Sequence, residues 1–398
     1  MFHAPTRAAI TTGALLAALS CSKKSSDEAG AMASIKIGLI APFSGAFADS
    51  GRQIEGGIKA YLKLHGDTVA GKKIEILVRD TTGPVPDVAK RLAQELVVHD
   101  KVAFLVGFGL TPEALAVAPV ATEGKVPMII MNAATSIIPT KSPYIVRVSL
   151  TVAQEAAPMG EWAAKNGIHK AATLVADYGP GIDAEAAFTR SFTAVGGAIV
   201  EAARVPLKNP EFSSFVQRIK DARPEAVFVF VPAGEQSIAV MKSLHERGLA
   251  DAGIKIIATG DVVPEHVLQT IGDSALGVIT TSHYSLAHDS PENAAFIKAY
   301  EDANGKDGGP PNFMSVGGYD GMAAIYEVVG KLGGTMDPDR AMAVLSHFAI
   351  TSPRGPISID PATRDIVQTI YVRRVERVNG ELRNVEFAQF AAVKDPGK

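Results

Sequence analysis

The chain has one cysteine in 398 residues, Cys21, so no internal disulfide can form. With Cys21 lying beside an export signal, the folded part has no thiol to serve as a nucleophile. Basic clusters are missing too. The 39 Lys and Arg against 42 Asp and Glu leave a net charge of −3, and no stretch would track phosphates, so a nucleic-acid partner is not expected. The motifs G-x-S-x-G, HExxH and CxxC do not occur. No convincing nucleophile or acid/base set remains, so the chain is not expected to be an enzyme or to carry a cofactor. His283 and His288 in "SHYSLAHD" are the nearest approach to a metal pair, and two lone loop histidines are more often solvated.

What is present begins with an address. "MFHAPTRAAITTGALLAALSC" carries Arg7, an apolar run from Ala8 to Leu19, and then Ser20-Cys21. The run is too short for a membrane span and fits a secretory signal. A small residue before cysteine is the pattern of a bacterial lipoprotein cleavage site, with Cys21 lipidated, although Ala18 stands where leucine is usual. Cleavage near Ala31–Ser34 is the alternative. Residues 22–33 are small and polar, as a tether should be. The expected location is the periplasm, with the chain anchored through lipid.

From Ile35 onward, apolar strand-like runs ("IKIGLIA", "KIEILVRD", "VAFLVG", "PMIIMN", "AATLVAD", "AVFVFV", "KIIATGD", "GVITTS") alternate with helical patterns. Continuous apolar runs suit strands covered on both faces, and the β-α alternation argues parallel, doubly wound sheets. The rhythm breaks near Tyr144–Arg147 and restarts for a similar length. The fold class is therefore α/β, with two doubly wound parallel-sheet lobes. The expected division gives 34–150 with about 283–355 to the first lobe, and 151–282 with about 356–398 to the second. The chain then crosses between lobes more than once.

Ligands of open parallel sheets bind beyond the carboxyl ends of the strands, so the loops there hold the candidate residues. Thr111 follows strand "VAFLVG" and reads as a helix N-cap, with Pro112 first in the helix; its hydroxyl could also donate to an anion. Gly107 and Gly109 clear space beside it. "NAATS" (Asn132–Ser136) offers backbone N–H groups at Ala133 and Thr135 and hydroxyls at Thr135 and Ser136. "DYGPGIDAEAAF" (Asp177–Phe188) formally matches G-x-G-x-x-A. Asp183 and Glu185 would oppose a pyrophosphate, and Pro180 removes a donor, so a dinucleotide enzyme is the weakest reading. Asp261 in "ATGDVVPEHV" could meet an ammonium or a hydroxyl, or simply cap the next helix.

These segments, taken in order, resemble the periplasmic leucine/isoleucine/valine-binding protein family, the type I solute-binding proteins of ABC importers. "IGLIAPFSGAFADSGRQIEGGIKAYL" is similar to the family's opening strand, Ser-Gly loop and helix. "VAFLVGFGLTPEALAVAPVATEGKVPMIIMNAATS" is similar to its carboxylate-binding half, and "DYGPG" and "EFSSFVQRIKDARPEAVFV" to later segments. The resemblance implies the type I periplasmic-binding-protein fold with several hinge crossings, a monomer, and an ABC permease as partner. It implies a ligand carboxylate held by Thr111 with help from Ala133 and Thr135, and Tyr178 and Asp261 facing the ligand from the other lobe. Phe47, Gly109, Ser136 and Tyr284 complete the candidate set. The family's acid is commonly Glu, and an aromatic often stands where Ser50 does. The shorter Asp261 and the smaller Ser50 favour an aromatic acid with a phenol over a branched-chain amino acid. A sensor domain of the same fold is the second reading.

Overall fold

The computed structural model describes Met1 and residues 34–397. The candidate leader, Cys21 and the tether lie outside the described residues.

The first lobe starts with β1 (Ser34–Ala41), α1 (Ala48–His65), β2 (Thr68–Val69), β3 (Lys72–Asp80), α2 (Pro86–Glu95), β4 (Phe104–Gly107), α3 (Thr111–Gly124), β5 (Met128–Ile130) and β6 (Ile145–Arg147). Its sheet runs β2-β3-β1-β4-β5-β6, parallel throughout except for the short β2. β4 is buried along its whole length, as its unbroken apolar run anticipates.

The second lobe follows with α4 (Val152–Lys165), β7 (Lys170–Ala176), α5 (Gly179–Ala194), β8 (Ala198–Val205), α6 (Ser213–Asp221), β9 (Ala226–Phe230), α7 (Glu235–Glu246), β10 (Lys255–Thr259), α8 (Glu265–Ile271) and β11 (Ile279–Ser282). Next come α9 (Pro291–Asn304), α10 (Phe313–Lys331) and α11 (Pro338–Leu345), whose apolar faces join the core under the first sheet. Helices α1 and α10 approach closely, because Gly57 presents no Cβ; one built there would lie 1.8 Å from the Ser315 carbonyl oxygen.

The chain ends with β12 (Ala349–Ser352), β13 (Gly355–Ile359), β14 (Ile366–Val378) and β15 (Glu381–Val393). β12 already pairs with β13 in the second sheet, a little before position 355. That sheet is parallel only over β8-β7-β9-β10-β11; β14, β13, β12 and β15 join antiparallel. The doubly wound parallel core expected of the second lobe is thus present, with antiparallel strands added at its C-terminal edge. The C-terminal strands are joined by short turns, and a short turn can only link antiparallel neighbours.

In both sheets the strand order reverses at one point, beside β1/β4 in the first and β7/β9 in the second. Such a switch opens a crevice at the carboxyl ends of the strands. Residues from both crevices line one cavity, and the segments between the two groups of elements are 148–151, 283–290 and 346–348.

Candidate functional site

The facing crevices enclose a cavity with about 470 Å³ of empty volume, including space continuous with solvent at its mouth. The first lobe supplies Phe47, Ser50, Gly109, Leu110, Thr111, Asn132, Ala133, Ala134, Phe313 and Met314. The second supplies Tyr178, Pro180, Phe230, Pro232, Ala233 and Asp261, with Leu150 at a crossing.

On the first-lobe wall, β4 leaves the sheet through Gly107 at φ +101° and Phe108 at φ +63°. A non-glycine residue in this left-handed region is uncommon and is found where the surroundings over-determine it. Here the Phe108 N–H donates to Ile40 and its carbonyl accepts from Ala133. The sharp turn sets Gly109 so close to Ser50 that an added Cβ would lie 2.6 Å from Ser50 Oγ. Helix α3 then begins.

The structure moves the N-cap by one residue. Leu110 holds the extended cap geometry, and Thr111 and Pro112 are the first helical residues. The Glu113 side chain accepts from the Leu110 N–H at 3.0 Å, taking over the task assigned to Thr111. Thr111 Oγ1 has no partner although the residue is only 3% exposed. A buried hydroxyl left unbonded is costly unless a ligand satisfies it. Burial pushes Glu113 up to about 8, and Thr81 donates to it. Near neutral pH it is mostly uncharged, so no carboxylate behind the helix end repels an anionic ligand.

Two expected carboxylate contacts are otherwise engaged. The Ala133 N–H already donates to Phe108 at 2.9 Å, because this stretch continues the β4–β5 connection. Thr135 Oγ1 and the Ser136 N–H both donate to Asp183 Oδ2, at 2.5 and 2.9 Å. Asp183 belongs to α5 of the second lobe, so these bonds hold the lobes together rather than a ligand. Ser136 Oγ donates to Asp395. Arg147 fixes the loop from beneath, donating to the carbonyls of Ala133 (3.1 Å) and Thr135 (2.7 Å) while paired with Asp365 at 2.8 Å. Asn132, whose Nδ2 donates to Gly109, has its own Oδ1 buried without a partner.

On the second-lobe wall, Tyr178 and Phe230 stack with centroids 6.2 Å apart and planes 18° from parallel. This gives an apolar face on which a flat ring can lie. Burial, and next the Asp261 charge, raise the Tyr178 phenol well above its usual range, so it stays a neutral donor. Asp261 lies half-buried at the cleft and accepts from Thr259 at 3.2 Å. Burial first, and Glu155 second, raise its pKa.

Tyr284 is placed elsewhere. It is fully buried, donates to Asn293 at 3.0 Å and packs on Phe296, because the chain after β11 dives into the core. Nor is His283 solvated, as expected from sequence; it is buried and lies 2.8 Å from Glu155, while His288 pairs with Glu386. Trp162 packs against Phe387, and Phe188 and Phe192 are core. Sequence reasoning missed Phe230, Phe313 and Met314. Phe230 had a usable signal, standing last in a buried strand just before Pro232.

Two lobes closed over a cavity with an anion-seeking end and an aromatic wall define a solute-binding protein. The Periplasmic binding protein family model matches residues 34–381, and the chain belongs to that family. It is 56% identical to a solute-binding protein of an ABC transporter from Rhodopseudomonas palustris BisB5, solved with 3,4-dihydroxybenzoic acid; the match covers 92% of this chain and 99% of that one, with a TM-score of 0.88. It is 45% identical to an R. palustris ABC-transporter solute-binding protein solved with 4-hydroxybenzoate, at the same coverage and a TM-score of 0.89. It is also 45% identical to Leu/Ile/Val-binding protein homolog 6 of Brucella melitensis, over 91% of this chain and 93% of that protein. The chain is thus a periplasmic solute-binding protein of the ABC-importer type, and no helix among its described residues is long and apolar enough to cross a membrane.

Proposed function

We propose that the solute is a small aromatic carboxylate with a ring hydroxyl, of the 4-hydroxybenzoate type, and that the protein delivers it as a monomer to its permease. The observation that carries this reading is the polarity of the cavity. The unbonded Thr111 hydroxyl sits at the N-terminus of α3, the Tyr178–Phe230 stack forms a flat wall, and Asp261 with a raised pKa stands on the second lobe. The helix end and hydroxyl suit a carboxylate. A carboxyl that keeps its proton suits a neutral O–H better than an ammonium, which needs a charged partner. The ligands of the two R. palustris relatives have this chemistry. Binding drives closure only because the ligand touches both walls at once, and so favours the closed state over the open one.

Thermal-shift measurements and calorimetry with 4-hydroxybenzoate, 3,4-dihydroxybenzoate and leucine test this. Both aromatic acids are expected to raise the melting temperature and leucine to leave it unchanged, since a ligand specific for the native state stabilises it. Stabilisation by leucine alone would restore the branched-chain amino-acid reading.

We further propose that Cys21 carries a lipid that anchors the protein at the membrane. Cys21→Ser should move it from the membrane fraction to the soluble periplasmic fraction. Wild-type protein recovered from the periplasm without detergent would refute the anchor.

A further inference from the structure

Behind Asp261 lies a polar cluster drawn from five separate elements. Glu155, from α4, is wholly buried. Its Oε2 accepts from the N–H of Gly260, next to Asp261 in sequence, at 3.4 Å. Its Oε1 accepts from the His283 N–H at 3.2 Å and lies 2.8 Å from His283 Nδ1. Arg373 of β14 reaches Glu265 of α8 at 3.3 Å and donates to Thr280 and the Tyr284 carbonyl. There is no room to rearrange: a Cβ on Gly260 would lie 2.4 Å from Ser282 Oγ and 2.9 Å from Arg373 Nη2.

The charges do not balance. Glu155, Asp261 and Glu265 are three carboxyls, while Arg373 is the one guanidinium among them and is in contact with Glu265. Arg354, the next cation, is paired with buried Asp320 at 2.7 Å. His283 is held far below its usual range by burial and by Arg354 and Arg373, so it brings no positive charge. The Tyr178 phenol, facing Asp261 from the start of α5, is neutral. Glu155 is bonded to the backbone beside Asp261, and two carboxyls served by so little positive charge cannot both ionise cheaply.

We propose that Glu155 selects the ligand's chemistry from behind Asp261: the two carboxyls hold one proton between them, and Asp261 faces the cleft as a neutral acid that serves a hydroxyl and offers an ammonium no countercharge. Glu155 is thus a positioning residue, since it does not line the cavity. The ligand assignment rests on the aromatic-acid reading above; the shared proton does not. Of the two, Glu155 is the better placed to be the ionised member, because it receives two backbone N–H groups and feels Arg373.

Infrared titration of the full-length protein reads the proton directly. Carboxylic-acid carbonyl absorption at neutral pH is expected in the wild type from both Glu113 and Asp261, and the part lost in Asp261→Asn is the Asp261 band. In Glu155→Gln its midpoint should fall by about one pH unit or more, because the like charge beside it is gone, while Glu155→Asp should retain it. The preference for 4-hydroxybenzoate over leucine should narrow about tenfold in Glu155→Gln as Asp261 ionises. No Asp261-dependent acid band near neutral pH, or a midpoint that Glu155→Gln leaves in place, overturns the proposal. Should Glu155→Gln fail to fold, the wild-type titration decides: two displaced carboxyl steps, as a coupled pair gives, support the shared proton, and a single independent Asp261 step overturns it. A protein that shows the band and its shift but ignores 4-hydroxybenzoate supports the shared proton and refutes the ligand reading alone.

Discussion

Replacing Arg354 by alanine is expected to lower the unfolding free energy by about 3–5 kcal/mol, the range for removing one partner of a buried ion pair. Arg354 is wholly buried between the lobes. Its Nε and Nη2 meet Asp320 of α10 at 3.0 and 2.7 Å. Its Nη1 donates to the Ser149 carbonyl at 2.8 Å and to Gln368 at 2.6 Å, and its Nη2 also donates to Val148. One side chain thus ties the first crossing at 148–149 to α10 and β14. Alanine would strand the Asp320 carboxylate and take the donor from the Val148 carbonyl, while the Ser149 carbonyl would keep its bond from Gln368 at 3.1 Å. Burial already raises the Asp320 pKa, and Arg354 is the main influence opposing that rise. In the variant the pKa must rise further. A carboxyl whose folded pKa is raised loses stability as pH climbs from its unfolded value through its folded value. The deficit should therefore be largest at neutral pH and shrink as pH falls towards about 4, near the unfolded value. Denaturant melts at several pH values check this. A pH-independent loss would mean that lost packing, rather than a stranded charge, dominates. The pair Arg354→Met with Asp320→Asn should recover much of the loss, because the uncompensated charge is gone.

The parts of this molecule that could be read from sequence are those that local patterns determine. β4, β5 and β9 show as unbroken apolar runs because both faces of each are covered. β15 does not, since much of it faces outward and its buried positions include Leu382 and Asn384, an alternation too polar to stand out. Its partner β14 carried a different clue: Arg373 follows the apolar stretch Ile370–Val372, and a charge buried there must have a partner. The partner could not be named, because Glu155, Asp261, Glu265, His283 and Arg373 meet only after the chain has crossed between lobes. The same limit explains Thr135. Its place on a hydroxyl-rich loop suggested a ligand contact, but its partner is Asp183 on α5 of the other lobe, 48 residues further along the chain. Thr111 was found by local chemistry, although its structural task belongs to Leu110 and Glu113.

That reassignment sharpens what Thr111→Val should do. Were Thr111 a cap, valine would cost about 1 kcal/mol of stability, as removed caps do. The cap is Leu110, and the Thr111 hydroxyl has no partner among the protein's own groups. Valine has nearly the same shape, and it removes a buried polar atom left unsatisfied. The unliganded variant should therefore melt at the same temperature as the wild type or slightly above it. Binding should respond in the opposite direction. A hydroxyl donating to a carboxylate contributes about 1.5–3 kcal/mol, so affinity for 4-hydroxybenzoate should fall between about tenfold and somewhat more than a hundredfold. The loss should appear mainly as faster dissociation, as most affinity differences within one interface do. Thr111→Ser keeps the donor and should bind nearly as the wild type does. Calorimetry and melting curves on the three proteins give both readouts together. Unchanged affinity in Thr111→Val would remove the carboxylate from this end of the cleft. A lowered melting point with unchanged affinity would return Thr111 to a purely structural role.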